Sequence, residues 1–234
     1  MSRDRKLPTA QESSDDVSAF LSKVASIPRS AKSGGGRIIF ALDATASRQP
    51  TWDQASHIQA EMFKETERLG GLEVQLLFYR GYGECKASKW LTDTKTLLRH
   101  MTGVTCLAGR TQLRRVLDHA AKEARVRKVD ALIFVGDAME EDIDALGHKA
   151  GELGLLGLPC FMFHEGQDPI SWNAFQQIAR LSGGACCRFD PSAARQLRDL
   201  LAAVAVYAAG GRAALSDFSK DRGGPVALLT KQVK

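Results

Sequence analysis

Apolar residues in this chain fall into short continuous runs, separated by stretches in which they recur every three or four positions. The runs at 37–42 (R-I-I-F-A-L), 72–79 (L-E-V-Q-L-L-F-Y), 131–135 (A-L-I-F-V), 158–163 (L-P-C-F-M-F) and 185–189 predict buried strands. Helical spacing covers 52–69, 92–101 and 142–153, and a further face carries Leu113, Val116, Leu117, Ala120 and Ala124. Asp168-Pro169 and Asp190-Pro191 each place an N-cap before a proline at the first helical position, so helices are predicted to start there, the second burying Leu197, Leu200, Leu201 and Val204. Arg80-Gly81-Tyr82-Gly83 reads as a hairpin turn leading into a short edge strand over about 83–90.

Alternation of unbroken apolar strands with amphipathic helices predicts an α/β fold: a doubly wound, mostly parallel sheet with one antiparallel edge strand and helices on both faces. Three segments follow from composition. Residues 1–36 are a tail rich in Ser, Lys, Asp and Gly, with a short amphipathic helix (Val17, Phe20, Leu21, Val24, Ile27) and a Ser33-Gly34-Gly35-Gly36 connector. Residues 37–209 form the domain, and 210–234 a second tail, in which Val226-Ala227-Leu228-Leu229 can add a strand or pack on the domain.

Composition narrows the class. The chain has 234 residues, 44% hydrophobic and 25% charged, enough for one good-sized core. Its net charge of +5 comes from basic residues spread over most of the chain. Arg110, Arg114, Arg115, Lys122, Arg125, Arg127 and Lys128 gather near one helix, but Asp118 and Glu123 dilute them, so nucleic acid is not the expected partner. No signal-peptide pattern or membrane-spanning run is present, and a cytoplasmic location is expected. The odd cysteine count without C-x-x-C spacing, with Cys106, Cys160, Cys186 and Cys187 in or beside apolar runs, predicts buried free thiols. His57, His100, His119, His148 and His164 show no metal spacing and read as surface or locally satisfied groups.

The chemistry is expected at the carboxyl ends of the strands. The first strand runs into Asp43-Ala44-Thr45-Ala46-Ser47, which delivers an acid and two hydroxyls at alternate positions. A later strand ends in Gly136-Asp137, and Thr111 follows Ala108-Gly109-Arg110 at a predicted helix start. Singly, these residues read as loop carboxylates and a helix N-cap. Together, D-A-T-A-S, G-R-T and V-G-D resemble the discontinuous metal-ion-dependent adhesion site (MIDAS) of the von Willebrand factor A (VWA) family, here of the bacterial intracellular single-domain type. The stretch Ile178-Ala179-Arg180-Leu181-Ser182-Gly183-Gly184-Ala185 is similar to that family's last helix-to-strand passage. The resemblance covers roughly 37–209. It departs at Gly136, where a hydroxyl residue is common, and at Ala138, where glycine is common.

That resemblance implies a VWA-type three-layer, Rossmann-like sandwich. It also implies that Thr45, Ser47 and Thr111 bind a divalent ion through their hydroxyls, that Asp43 and Asp137 reach it directly or through water, and that one position stays open for an acidic residue of a partner. Oxygen donors alone suit Mg2+ or Mn2+. The expected function is non-catalytic binding of a protein presenting Asp or Glu; in such families the partner can be an ATPase or an assembling complex. Further partner contacts are expected at Arg80, Tyr82, Glu84, Glu140 and Glu165, with Lys86 and Trp90 beside the hairpin and Glu141 near the ion. The alternatives are a phosphoryl-transfer hydrolase, against which Thr45 stands where a second acid is usual, and a nucleic-acid-binding protein.

Overall fold

The computed structural model describes residues 36–49, 72–189, 199, 202–208, 214 and 217. The helices expected over 17–27 and 52–69, the helix start at Asp190-Pro191 and the segment 226–229 lie outside the described residues.

Six strands form one sheet: β1 (Gly36–Asp43), β2 (Leu72–Arg80), β3 (Glu84–Ala87), β4 (Ala131–Gly136), β5 (Cys160–Glu165) and β6 (Ala185–Phe189), in the order β3-β2-β1-β4-β5-β6. Every pairing is parallel except β2 with β3, which is antiparallel. The mostly parallel sheet with one antiparallel edge is thus the expected one. β5 begins at Cys160, not Leu158, because Pro159 has no N–H to give to the ladder, although its carbonyl still accepts from Leu132 at 3.0 Å. β3 is shorter than expected. Beyond it Trp90 leaves the edge, so that its ring lies under the Arg37 guanidinium (3.7 Å to the centroid) and its Nε1 donates to Glu123 at 2.9 Å.

Around the sheet run α1 (Thr94–Thr102), α2 (Leu113–Val126), α3 (Ile143–Leu155) and α4 (Pro169–Ser182), with one 3-10 turn at Ala46–Arg48. Local chemistry sets the helix ends. Asp93, Asp142 and Asp168 each accept a backbone N–H of the first turn, and Gly183 ends α4 in the left-handed region at φ 77°. The Asp168-Pro169 start is therefore as predicted.

Alternate strand residues feed two cores, which is why the strands read as unbroken apolar runs. Ile38, Phe40, Leu42, Ile133, Val135, Phe161 and Phe163 pack against Leu97 and Met101 of α1 and the buried helical residues 203–208. Ile39, Ala41, Leu132, Phe134 and Met162 pack against α2, α3 and α4 through Leu117, Leu153 and Phe175. The result is a three-layer sandwich, in which each fully buried large side chain contributes about 1.5–3 kcal/mol.

The amino edge is closed by polar bonds. Arg37 pairs with Glu73 at 3.0 Å, donates to the carbonyls of Arg127 and Lys128 at 3.1 and 3.2 Å, and gives its backbone N–H to Asp130 at 2.9 Å. Among the described residues no helix is long and apolar enough to cross a membrane. All five cysteines are free; Cys160 and Cys187 are buried, and burial pushes the Cys160 thiol up to about 12. Cys106 and Cys186 are only half-buried: Cys186 lies on the edge strand β6 and Cys106 in a loop, each packed against the rim of a core, so the expectation of fully buried thiols fails there.

Candidate functional site

From β1 the chain goes to β2 on one side, and it later fills β4 on the other. β1 and β4 are therefore neighbours at the point where the winding direction changes. A crevice at the carboxyl ends of such strands is where α/β sheets bind ligands. Asp43 ends β1, and Asp137 follows the last residue of β4.

Asp43 is fully buried. Its Oδ1 accepts the Thr45 N–H at 2.8 Å and its Oδ2 the Tyr79 hydroxyl at 2.9 Å. Burial raises its pKa, and Asp137 raises it further, while the bonds from Thr45 and Tyr79 oppose the shift. Tyr79 in turn stacks on Phe134 at 6.2 Å between centroids, so the carboxylate rests on an aromatic shelf that fixes its direction. The bond to Asp43 also bends the following loop inward, bringing the Thr45 and Ser47 hydroxyls within 3.2 Å of each other; Ser47 is exposed.

Thr111 arrives on a loop knitted to the same edge. Leu107 N–H donates to the Ala44 carbonyl at 3.0 Å, Arg110 N–H to the Gly81 carbonyl at 3.1 Å, and Gln112 Nε2 to the carbonyls of Arg80 and Gly81 at 3.2 Å. Gly109 permits this approach, since a Cβ there would meet the Gly81 carbonyl oxygen at 2.0 Å. Thr111 is not a helix N-cap. α2 starts at Leu113 after Gln112, which makes no side-chain cap bond, and Glu141 caps the helix from the loop after β4 by accepting from Leu113 and Arg114 at 2.6 and 3.0 Å. The Thr111 hydroxyl instead accepts the Glu140 N–H at 3.0 Å, tying its loop to the one that carries Asp137.

Asp137 Oδ1 is buried and accepts no hydrogen bond within the protein. The two departures from the adhesion-site pattern have local explanations. A side chain at Gly136 would meet the Phe134 ring at 2.7 Å, so the aromatic shelf occupies that space. Ala138 causes no strain, since no described non-glycine residue has positive φ.

Sequence reasoning missed two groups. Arg48, directly after Ser47, points inward, is 1% exposed, and forms a buried ion pair with Glu165 at the end of β5. Burial lowers its pKa, and Asp137 and Asp43 act against that shift. Glu165, expected as a partner contact, is therefore buried and engaged inside the fold. His164, expected at the surface or locally satisfied, is fully buried between Trp172 and Phe175. Burial, reinforced by Arg188, drives its pKa down to about 4. His119 fits its expectation, bonding to Gln75 at 2.8 Å.

The remaining expected contacts divide. Tyr82 is 82% exposed and Glu140 is exposed. Arg80 is held by Glu84 at 2.9 Å and by the Thr105 carbonyl at 2.7 Å, and the Arg80 and Lys86 bonds pull Glu84 down to about 2. Exposed Leu107 and Ile170 join Tyr82 around the same edge. In the basic group, Arg114, Arg125, Arg127 and Lys128 each pair with an acid.

Among the described residues no group of three or more His, Cys, Asp or Glu is placed to hold a metal ion. The set at this edge is of another kind, with two carboxylates and three hydroxyls.

No family model matches the chain, and no curated protein sequence does. Solved structures do. The SpRpn10 VWA domain matches with a TM-score of 0.57 at 12% identity, over 71% of this chain and 93% of that one. Proximal thread matrix protein 1 from the mussel byssus, with a zinc-occupied MIDAS motif, matches with a TM-score of 0.57 at 12% identity, over 74% and 46%. The PilB minor pilin of Streptococcus sanguinis matches with a TM-score of 0.56 at 9% identity, over 84% and 65%. At such identities the likeness establishes the fold alone, a VWA-like domain of Rossmann type. The chain spans about half the length of the matrix protein.

Proposed function

We propose that this domain is a non-catalytic protein-interaction module that works in the cytoplasm and captures an Asp or Glu of a partner through Mg2+ (or Mn2+) held by Asp43, Thr45, Ser47, Thr111 and Asp137. The observation that carries this reading is the buried Asp137 Oδ1 without a hydrogen-bond donor, at the edge where Asp43 is buried as well. Buried carboxylate oxygens are nearly always satisfied, so an orphan of this kind asks for a cation.

The donor chemistry fits the ion. Carboxylates and hydroxyls are hard ligands, suited to Mg2+ and Mn2+. When bound, such an ion supplies an open coordination position for one more carboxylate. The protein's part is positioning: Tyr79 and the Thr45 N–H orient Asp43, and Thr111 is steadied by the Glu140 N–H. Exposed Tyr82, Leu107 and Ile170 give an apolar rim against which a partner's acidic residue can be seated. The partner class is an assembling complex or an ATPase, as in VWA-type modules that work inside cells.

The test is capture of partners from the source cell in Mg2+ or Mn2+. The partner is expected to be lost with chelator and with Asp43→Ala. Retention under both conditions would end the reading.

A further inference from the structure

Arg48 is a feature of the carboxyl edge that a simple adhesion site does not require. Its backbone N–H closes the 3-10 turn on the Thr45 carbonyl at 3.0 Å, which turns its side chain inward from the loop bearing Thr45 and Ser47. The guanidinium is 1% exposed and ion-paired with Glu165, itself only 7% exposed. Glu165 ends β5, the strand next to β4, so the pair lies beside the loop that begins with Asp137. A permanent positive charge has thus been built into the interior at the edge where Asp43 and Asp137 converge. A buried guanidinium is screened little by solvent, and it cannot be relieved by deprotonation.

We propose that Arg48 is a built-in counter-cation that competes with the divalent ion for the negative charge of Asp43, Asp137 and Glu165, and so keeps the metal affinity of the site low. This rests on the metal-site reading above. The guanidinium stabilises the buried carboxylates of Asp43 and Glu165 and the half-buried Asp137 while no ion is present, which lets the metal-free fold persist. An arriving dication is repelled by a like charge in a low-dielectric setting. The same positive charge attracts the carboxylate that a partner brings. Arg48 therefore trades affinity for the ion against affinity for the partner.

Mn2+ titration of the full chain, wild type against Arg48→Gln, tests this. Arg48→Gln is expected to bind Mn2+ at least tenfold more tightly and to lose thermal stability in chelator, with recovery on adding Mn2+. A merely structural arginine would give the stability loss without the gain in affinity. Equal or weaker Mn2+ binding by folded Arg48→Gln overturns the proposal alone, whereas absence of Mn2+ binding to both proteins overturns the metal reading with it. If Arg48→Gln does not fold, the Arg48 Nε–H resonance of the wild-type protein decides. It is expected to move during a Mg2+ titration with the midpoint of Mg2+ binding, and a resonance unchanged at saturation refutes the proposal.

Discussion

Each edge of the sheet buries an arginine, and the two are used differently. At the amino edge Arg37 meets Glu73, two backbone carbonyls and the Trp90 ring, and the neighbouring Asp130 accepts its backbone N–H. There the polar groups saturate one another. At the carboxyl edge Arg48 pairs with Glu165, yet Asp137 Oδ1 is buried without a hydrogen bond. A closed network stabilises; an incomplete one costs stability and is kept where a ligand or a mechanism uses it. The contrast separates a structural arginine from a functional one without reference to sequence.

The two edges should respond differently to three perturbations. Gly109→Ala should have the largest effect. Its Cβ would collide with the Gly81 backbone, so the loop carrying Thr111 must move, at a cost of about 3 kcal/mol. Chemical denaturation should show the loss, and unchanged stability would mean that this loop is not locked to the hairpin. Next is acid. His164 is held at about 4 in the fold, against an unfolded value of about 6.5. The unfolded chain thus takes up the proton first, and the His164 contribution is present above pH 6.5 and lost as pH falls toward 4. The difference between the wild-type and His164→Phe stability curves should amount to about 3 kcal/mol over that window. A difference curve that is flat with pH would show that the ring is not buried uncharged. Arg37→Ala is the smallest, at about 2 kcal/mol, since Glu73 keeps Arg127 at 3.0 Å as a partner. Its Mn2+ binding should equal that of wild type, and a loss there would erase the distinction between the edges.

The sheet was legible in the sequence because its strands are buried on both faces and leave unbroken apolar runs, as 131–135 does. So was the start of α4, where Asp168-Pro169 carries its own local signal. Asp43 and Asp137 stood out because strand ends place acids at one edge. What escaped depends on contacts distant in sequence. Arg48 has the composition of a surface residue, and only the Thr45–Arg48 turn and Glu165, more than a hundred positions away, send it inward. Glu141 capping α2 and Trp90 lying under Arg37 are likewise pairings across the fold. His164 looked ordinary because nothing local marks a strand-end histidine as enclosed by Trp172 and Phe175.

On the proposed reading, the carboxyl edge holds one hard cation between the ends of β1 and β4. Calorimetric titration of Mn2+ into wild type and Asp137→Asn addresses it most directly, because that substitution keeps the side chain's shape and removes its charge. Wild type is expected to take up about one ion per chain, and Asp137→Asn none at the same concentrations. Equal uptake by both proteins would contradict that reading.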